Sequence, residues 1–171
     1  MSKLSGDWSR LDEILNPSRI AAGVKQAAVR VGNYGASEVK KGIVSGAPGG
    51  QKFAPNSPMT IARKGSSKPL IDKGDLVGSI TYQLIDANNV FVGVKKGKEV
   101  NIAAVHEFGC TIGVTPKMRA YFHYQGIHLK ASTQYIHIPA RPFLRPVLLG
   151  SDFKNKVAEI YIQAIERMFH A

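Results

Sequence analysis

Apolar residues recur close to every 3.6 positions after Asn16 and Pro17, the pattern of a helix that buries one face. Asn caps free backbone N–H groups. Pro is tolerated at the first helical position because the N–H that it lacks would have no partner there, so this pair marks the start of the helix. The pattern predicts a long helix ending near residues 45–48. Its apolar stripe comprises Ile20, Val24, Ala27 or Ala28, Val31, Tyr34, Val39 and Ile43.

Four glycines interrupt this helix, at Gly23, Gly32, Gly35 and Gly42. Each costs about 1 kcal/mol relative to alanine in a helix interior. The helix therefore depends on tertiary packing, and we expect another backbone to approach it closely at these positions.

Residues 47–69 show no usable period and are rich in Pro, Gly, Ser and Asn. A loop of this length in a compact domain is usually functional or becomes ordered on a partner. We expect a long flexible loop, mobile in the free monomer and ordered by a neighbouring subunit or tail protein. The alternative is a passive connection.

Short β-branched or alternating segments follow, and they predict strands separated by turns. Strands are expected at 80–85 and 90–94, joined as a hairpin by a turn at 86–89, and again at 111–115 and 134–138. A short helix at 102–108 should end at Gly109, a left-handed terminator. The 117–133 stretch is ambiguous and could form a second hairpin.

The Pro-rich run 139–146 must be extended and stiff, because each residue before a proline is pushed away from the helical region. Asp152 then caps a final helix, 151–169, with apolar residues at heptad-like spacing. The fold class is α+β, one domain over 1–171. A long N-terminal helix and the C-terminal helix pack on an antiparallel sheet of about four strands, and residues 1–15 form an N-terminal arm.

Composition fits a globular chain, with 44% hydrophobic and 20% charged residues. The single cysteine, Cys110, excludes a disulfide scaffold and suggests a reducing compartment. No segment approaches the ~20 apolar residues of a membrane span, and the N-terminus has no apolar signal region. We expect a protein that is made and used in solution, without a membrane partner.

Two sets of residues have the composition of a chemical site. His123, His128 and His137 could bind zinc only if they converged, and their spacing matches no tight ligand pair. His106, Glu107 and Cys110 are the residue types of a thiol nucleophile with a base, but neighbours on a helix point in different directions. We expect no metal, no cofactor and no catalysis.

The charge distribution is more informative. The chain has 23 Lys and Arg against 12 Asp and Glu, a formal charge of +11. No acid occurs between Glu38 and Asp72 or between Glu107 and Asp152. These windows indicate a surface for nucleic acid or for an acidic protein, or simply a solvated basic face. They contain Lys40, Lys41, Lys52, Arg63, Lys64 and Lys68, and then Lys117, Arg119, Lys130, Arg141 and Arg145.

Several motifs occur together in a recognisable order. They are Phe-Ala-Pro-Asn-Ser-Pro at 53–58 with Ala-Arg-Lys at 62–64, Leu-Ile-Asp-Lys-Gly-Asp-Leu at 70–76, His-Glu-Phe-Gly at 106–109, and Pro-Ala-Arg-Pro-Phe-Leu at 139–144. In this order, over roughly residues 50–150, the sequence resembles the phage virion morphogenesis and tail-completion family, small neck proteins of long-tailed bacteriophages.

The resemblance implies a structural protein that closes the upper end of the tail tube and joins it to the head, without catalysis. It implies a homo-oligomeric ring, sixfold in the family, that meets a head–tail connector or stopper protein and the tail tube protein. Such a protein is assembled in the host cytoplasm and belongs to the virion. The alternative is a basic nucleic-acid-binding module.

The same resemblance suggests residues for these contacts. On this interpretation the 141–144 run also fixes the packing of the sheet against the last helix, with Phe143 as its anchor. Double-stranded DNA in the channel, or an acidic partner, would meet Lys40, Lys41 and Lys68. Subunit or neck-protein contacts are expected at Phe53, Pro55, Arg63, Lys64, His106, Glu107, Phe108, Arg141 and Phe143.

Overall fold

The computed structural model describes residues 15–95 and 97–170, and of Lys98 and His170 only the backbone. The predicted arm at residues 1–15 therefore lies outside the described residues, except for Leu15. The described chain alternates helices with two pairs of short strands, which confirms the α+β class.

The longest element, α1 (Pro17–Ser45), begins and ends where the sequence predicts. The Asn16 side chain accepts a hydrogen bond from the Ser18 N–H at 2.9 Å. At the other end Gly46 takes the left-handed conformation, with φ of 75°, and its N–H donates to the Ile43 carbonyl at 3.1 Å.

Neighbouring elements do approach the glycines of α1 closely. A Cβ added at Gly32 would lie 2.4 Å from a ring carbon of Tyr82, and one at Gly42 would lie 2.8 Å from the Pro48 backbone. Only at Gly42 is backbone that close, because the other contacts come from side chains. The glycines thus allow α1 to pack tightly against its neighbours.

The strands form two small antiparallel sheets, so the single four-stranded sheet expected from the sequence is wrong. In the first, β1 (Ile80–Leu84) pairs with β2 (Val90–Val94), and Ile80 lies opposite Val94. In the second, β3 (Cys110–Gly113) pairs with β4 (Tyr135–Ile138), and Cys110 lies opposite Ile138. Between them the chain runs through a helix and turns at Gly109, with φ of 75°, so β3 pairs with β4 and not with β2.

Further helices lie between α1 and β4, some before β1 and some between the strands. The 3₁₀ turn Pro48–Gly50 and α2 (Pro58–Lys64) precede β1, and α3 (Asp75–Ser79) leads directly into it. After β2 come α4 (Lys98–Phe108) and then α5 (Pro116–Tyr124), the latter between β3 and β4.

Two of these helices lie in segments for which the sequence predicted a different structure. The 47–69 segment is not a plain loop, because it holds the 3₁₀ turn and α2, whose N-terminus is capped by Ser57. The 117–133 stretch does not form a second hairpin, because Thr115 caps α5 there. Both helices are too short for a hydrophobic period to emerge. Tyr121, Phe122 and Tyr124 consequently lie on a helix and not on a strand.

Two further helices end the chain, α6 (Arg145–Leu148) and α7 (Ser151–His170). Asp152 lies in the first turn of α7 and is not its cap. The core has two parts along α1. One joins α7 through Ala27, Val31 and Ile160. The other surrounds Phe143, which is fully buried among Ala36, Val39, Ile43, Leu76, Ile80 and Ala103. Phe143 is thus the expected anchor, but it packs on α1 and not between a sheet and α7.

Candidate functional site

The His-Glu-Phe-Gly motif at 106–109 and the Pro-Ala-Arg-Pro-Phe-Leu motif at 139–144 contact each other directly. The Glu107 carboxylate, on the last turn of α4, is buried and accepts hydrogen bonds from three consecutive backbone N–H groups. These belong to Phe143 at 2.8 Å, Leu144 at 3.0 Å and Arg145 at 3.1 Å. The N–H groups at the start of α6 have no partner within their own helix, so a charged acceptor satisfies them. We call the contact of 106–108 with 141–145 the motif clamp.

Arg145 completes the clamp from the solvent side. Its Nε donates to the Glu107 carboxylate at 3.0 Å and its Nη2 to the Glu107 carbonyl at 2.9 Å. The guanidinium also lies 4.7 Å above the centre of the Phe108 ring, a cation–π contact. Burial by itself would raise the pKa of Glu107, but the backbone N–H groups and Arg145 outweigh it, so the pKa is held below its ordinary value.

Arg141 ties the clamp to residues 54–55. Its side chain is buried, and it donates from Nε to the Ala54 carbonyl at 2.7 Å and from Nη2 to the Pro55 carbonyl at 2.8 Å. Its backbone N–H donates to the His106 carbonyl at 2.6 Å. In the described part of the chain no carboxylate pairs with Arg141, and burial lowers its pKa. The charge is therefore stabilised by the carbonyl dipoles of Ala54 and Pro55.

His106 lies beside this arginine. Its buried Nδ1 has no hydrogen-bond partner among the described residues. Burial and then the charge of Arg141 lower the pKa of His106, so the imidazole is neutral at pH 7. A neutral ring contributes no repulsion to the neighbouring guanidinium.

The other predicted contact residues differ in exposure. Phe53 is half-buried against the Phe143 core, whereas Pro55 and Arg63 are exposed. Glu107 and Phe143 lie inside the chain, so they reach a partner only through the surface residues that they position. Phe108 is the opposite case, with 68% of its surface exposed despite its place in the motif.

The basic residues do not line one common groove. Lys41 lines a groove with the start of α7, whereas Arg63 and Lys64 line a cleft beside α5. The acids at the borders of the two basic windows also form ion pairs with residues inside them. Glu38 pairs with Lys41 at 2.7 Å, and Glu107 pairs with Arg145.

The two residue sets considered as candidate chemical sites do not come together. The rings of His123 and His128 meet edge to face, with centres 4.8 Å apart, but His137 bonds to Thr111 elsewhere. Within residues 15–95 and 97–170, no three or more His, Cys, Asp or Glu side chains are placed to hold a metal ion. The Glu107 carboxylate is engaged by the clamp and not by Cys110.

Sequence reasoning named both motifs but missed their contact and the role of Arg145. The signal was present: Glu107 is the last acid before a long basic window, and Arg145 follows the prolines at its far end. The sequence does not show that the chain folds back between residues 109 and 141 and so brings Glu107 and Arg145 together.

The geometry also creates a surface feature, which we call the Phe108 patch. It comprises Phe108, Arg145 and Leu149, the last two neighbours on one helical face, where the Leu149 N–H donates to the Arg145 carbonyl at 3.0 Å. Leu149 is 64% exposed and the Arg145 side chain 52%. Phe108, Arg145 and Leu149 are thus exposed to solvent, while the residues that hold them in place are buried and hydrogen-bonded.

Comparison with known proteins gives one family and no individual relative. Curated proteins and solved structures yield no match. None of the described helices is both long and apolar enough to cross a membrane. The model of the phage virion morphogenesis family matches residues 10–166, a range that includes both halves of the motif clamp. The chain therefore belongs to the phage virion morphogenesis family, a family of virion-assembly proteins and not an enzyme class.

Proposed function

We propose that this protein is a neck component of a long-tailed bacteriophage, a tail-completion or tail-terminator subunit that forms a ring and joins the tail tube to the head. Its partners are other copies of itself, a connector or stopper protein and the tail tube protein. Family membership supports the virion-assembly role, and the resemblance supports the neck position and a sixfold ring.

The Phe108 patch is the observation that carries the subunit contact. Aromatic and arginine side chains supply much of the binding energy at protein interfaces, especially when they are held rigidly. Here Phe108 and Arg145 are held by the Glu107 clamp before any partner arrives. The protein thus loses little side-chain freedom when the patch is covered.

A ring further requires each subunit to present two different, complementary surfaces. We assign the Phe108 patch to one of them. Arg141 ties residues 54–55 to the clamp, so this segment is held by the same support.

The test compares two exposed apolar residues of equal exposure. Phe108 is 68% exposed and Ile85, at the end of the β1–β2 hairpin, is 67% exposed. We expect Phe108→Asp to abolish rings in native mass spectra and to leave heads and tails unjoined in electron micrographs. Ile85→Asp should assemble like the unaltered protein. Rings formed equally by both variants would remove the patch from the subunit contact.

A second candidate is the basic nucleic-acid-binding module, favoured by the formal charge of +11. Gel shifts of the purified protein on duplex DNA over a series of salt concentrations separate the two. Tight binding with a steep salt slope would favour this second candidate, because neutralised phosphates release counterions. Ring formation without tight DNA binding favours the neck protein.

A further inference from the structure

A cleft lies between α2 and α5, away from the Phe108 patch. Its volume is about 590 Å³. Met59, Arg63 and Lys64 of α2 form one wall, and Tyr121 and Phe122 of α5 form the other, with Gln125, Ile127 and Asp72 completing the lining. We call it the α2–α5 cleft.

The cleft joins the two acid-free windows of the sequence. Arg63 and Lys64 come from the first window, and Tyr121 and Phe122 from the second. Asp72 is the acid among the lining residues. Arg63 and Lys64 are cations among the same residues, so basic side chains outnumber acidic ones in the lining. The cleft is therefore positive as well as aromatic.

Both walls contain hydrogen bonds that need no ligand. In α5, the Arg119 guanidinium donates to the Lys130 carbonyl at 3.0 Å, to the Ala131 carbonyl at 3.3 Å and also to the Thr133 carbonyl. In α2, the Ser57 hydroxyl caps the Thr60 N–H at 3.2 Å. The α5 wall is therefore fixed in the free protein, which lowers the entropic cost of binding, whereas α2, of which no residue is buried, becomes ordered when a ligand binds.

The lining combines two kinds of contact. Met59 and Tyr121 are roughly half exposed, and Phe122 and Ile127 are half-buried, so apolar surface remains open to a ligand. Arg63 is exposed at the rim. An apolar floor with a cationic rim suits a chain that buries one apolar side chain while its carboxylates stay at the edge.

We infer that the α2–α5 cleft binds an acidic protein segment that carries an apolar or aromatic anchor. Duplex DNA fits the cleft less well, because its outer surface consists of phosphates and sugars that leave an apolar floor unused, and its bases are paired and not free to stack. This inference does not depend on the ring, since the cleft and the Phe108 patch share no residue.

The experiment measures binding of the full-length protein to a fluorescein-labelled helical peptide of glutamates with leucines along one face. A matched peptide has lysine for every glutamate. We expect the acidic peptide to bind and the basic one not to bind. Tyr121→Ser and Arg63→Glu should each raise the Kd for the acidic peptide about tenfold, because each removes one favourable contact. Because Tyr121 is 48% exposed, its serine variant should fold, which a thermal melt verifies.

Two control variants lie outside the cleft. Tyr135→Ser removes another exposed tyrosine, on β4, and Lys25→Glu reverses an exposed charge on α1. Neither should change the affinity for the acidic peptide. The inference is overturned if the acidic peptide binds more weakly than about 1 mM, if the basic peptide binds as well, or if the controls weaken binding equally. Displacement of the peptide by duplex DNA, with no effect of Tyr121→Ser, would assign the cleft to nucleic acid. The assay uses single subunits in solution, so its failure leaves the ring proposal untouched.

Discussion

At the scale of single residues, Glu107 has the largest local role. Its one carboxylate satisfies three backbone N–H groups and a guanidinium, which together fix the 141–145 turn and place Phe143 in the core. A buried carboxylate is favourable only when it is so fully paired. Removing its charge therefore leaves several donors poorly satisfied at once.

We expect Glu107→Gln to lower the free energy of unfolding by about 2–4 kcal/mol, since hydrogen bonds to a charged group are each worth more than neutral ones. Urea denaturation measures the change. The matched control is Glu159→Gln, which removes an exposed ion pair with Lys156 and should have a much smaller effect. Equal effects of the two substitutions would contradict the structural role of Glu107.

The same residue predicts how stability depends on pH. The folded-state pKa of Glu107 is lowered, so its stabilisation is complete above the ordinary glutamate pKa of about 4.3 and is lost as pH falls through the folded value. The pKa values of Asp86 and Glu159 are also lowered, so they contribute in the same direction. Melts between neutral and acid pH should therefore show a steeper loss for the unaltered protein than for Glu107→Gln. Parallel curves would exclude this contribution.

Phe143 gives a residue-scale prediction of a different kind. It is fully buried, so Phe143→Ala should cost about 3–5 kcal/mol through lost burial and the cavity left behind. Lys52→Ala, at an exposed position, should change the free energy of unfolding by less than about 0.5 kcal/mol. A loss below about 1 kcal/mol for Phe143→Ala would mean that this core rearranges easily.

At the scale of elements, the sequence predicted what local signals encode. The Asn16–Pro17 start of α1, its end before Gly46 and strand β2 agree with the structure, because caps, left-handed glycines and β-branched runs act over a few residues. It missed α2 and α5, which span too few residues to show a period, and it merged two sheets into one. Which strands pair across a long connection depends on the direction that the chain takes after α4 and Gly109. No local sequence pattern encodes that direction.

The 56–68 segment around α2 carries an element-scale prediction. Among the described residues, the side-chain hydrogen bonds of this segment stay within it, such as Asn56 to the Ser67 carbonyl at 3.2 Å and Lys64 to the Lys68 carbonyl. No residue of α2 is buried. Within the 47–69 segment that the sequence predicts to be mobile, we therefore expect residues 56–68 to be mobile in the free subunit and ordered in the assembly, so trypsin should cleave after Arg63 before assembly and not after it. Equal protection in both states would contradict this.

At the scale of the whole molecule, several of the 23 basic side chains are already engaged. Lys41 is paired with Glu38, Arg145 with Glu107, and Arg119 and Arg141 with backbone carbonyls. The net positive field remains, and it acts on a polyanion at longer range than any single contact. A channel through which DNA slides requires such diffuse attraction without base-specific contacts.

A combined charge reversal tests the channel residues. We expect particles carrying Lys40→Glu, Lys41→Glu and Lys68→Glu to join heads to tails normally and to differ in DNA retention or ejection. The matched variant reverses three basic residues of α7: Lys154, Lys156 and Arg167. It should leave retention unchanged. Accumulation of separate heads and tails with the first variant would instead place Lys40, Lys41 and Lys68 at a protein interface.

The motif clamp joins Glu107 to Phe143, 36 residues further along the chain. The chain from 109 to 140, which includes both strands of the second sheet and α5, forms an excursion that starts and ends at this clamp. Because the core is complete without it, this excursion can change in length and composition while the body of the protein stays the same. Evolution, or an engineer grafting a loop between β3 and β4, could thus exchange binding specificity without redesigning the fold.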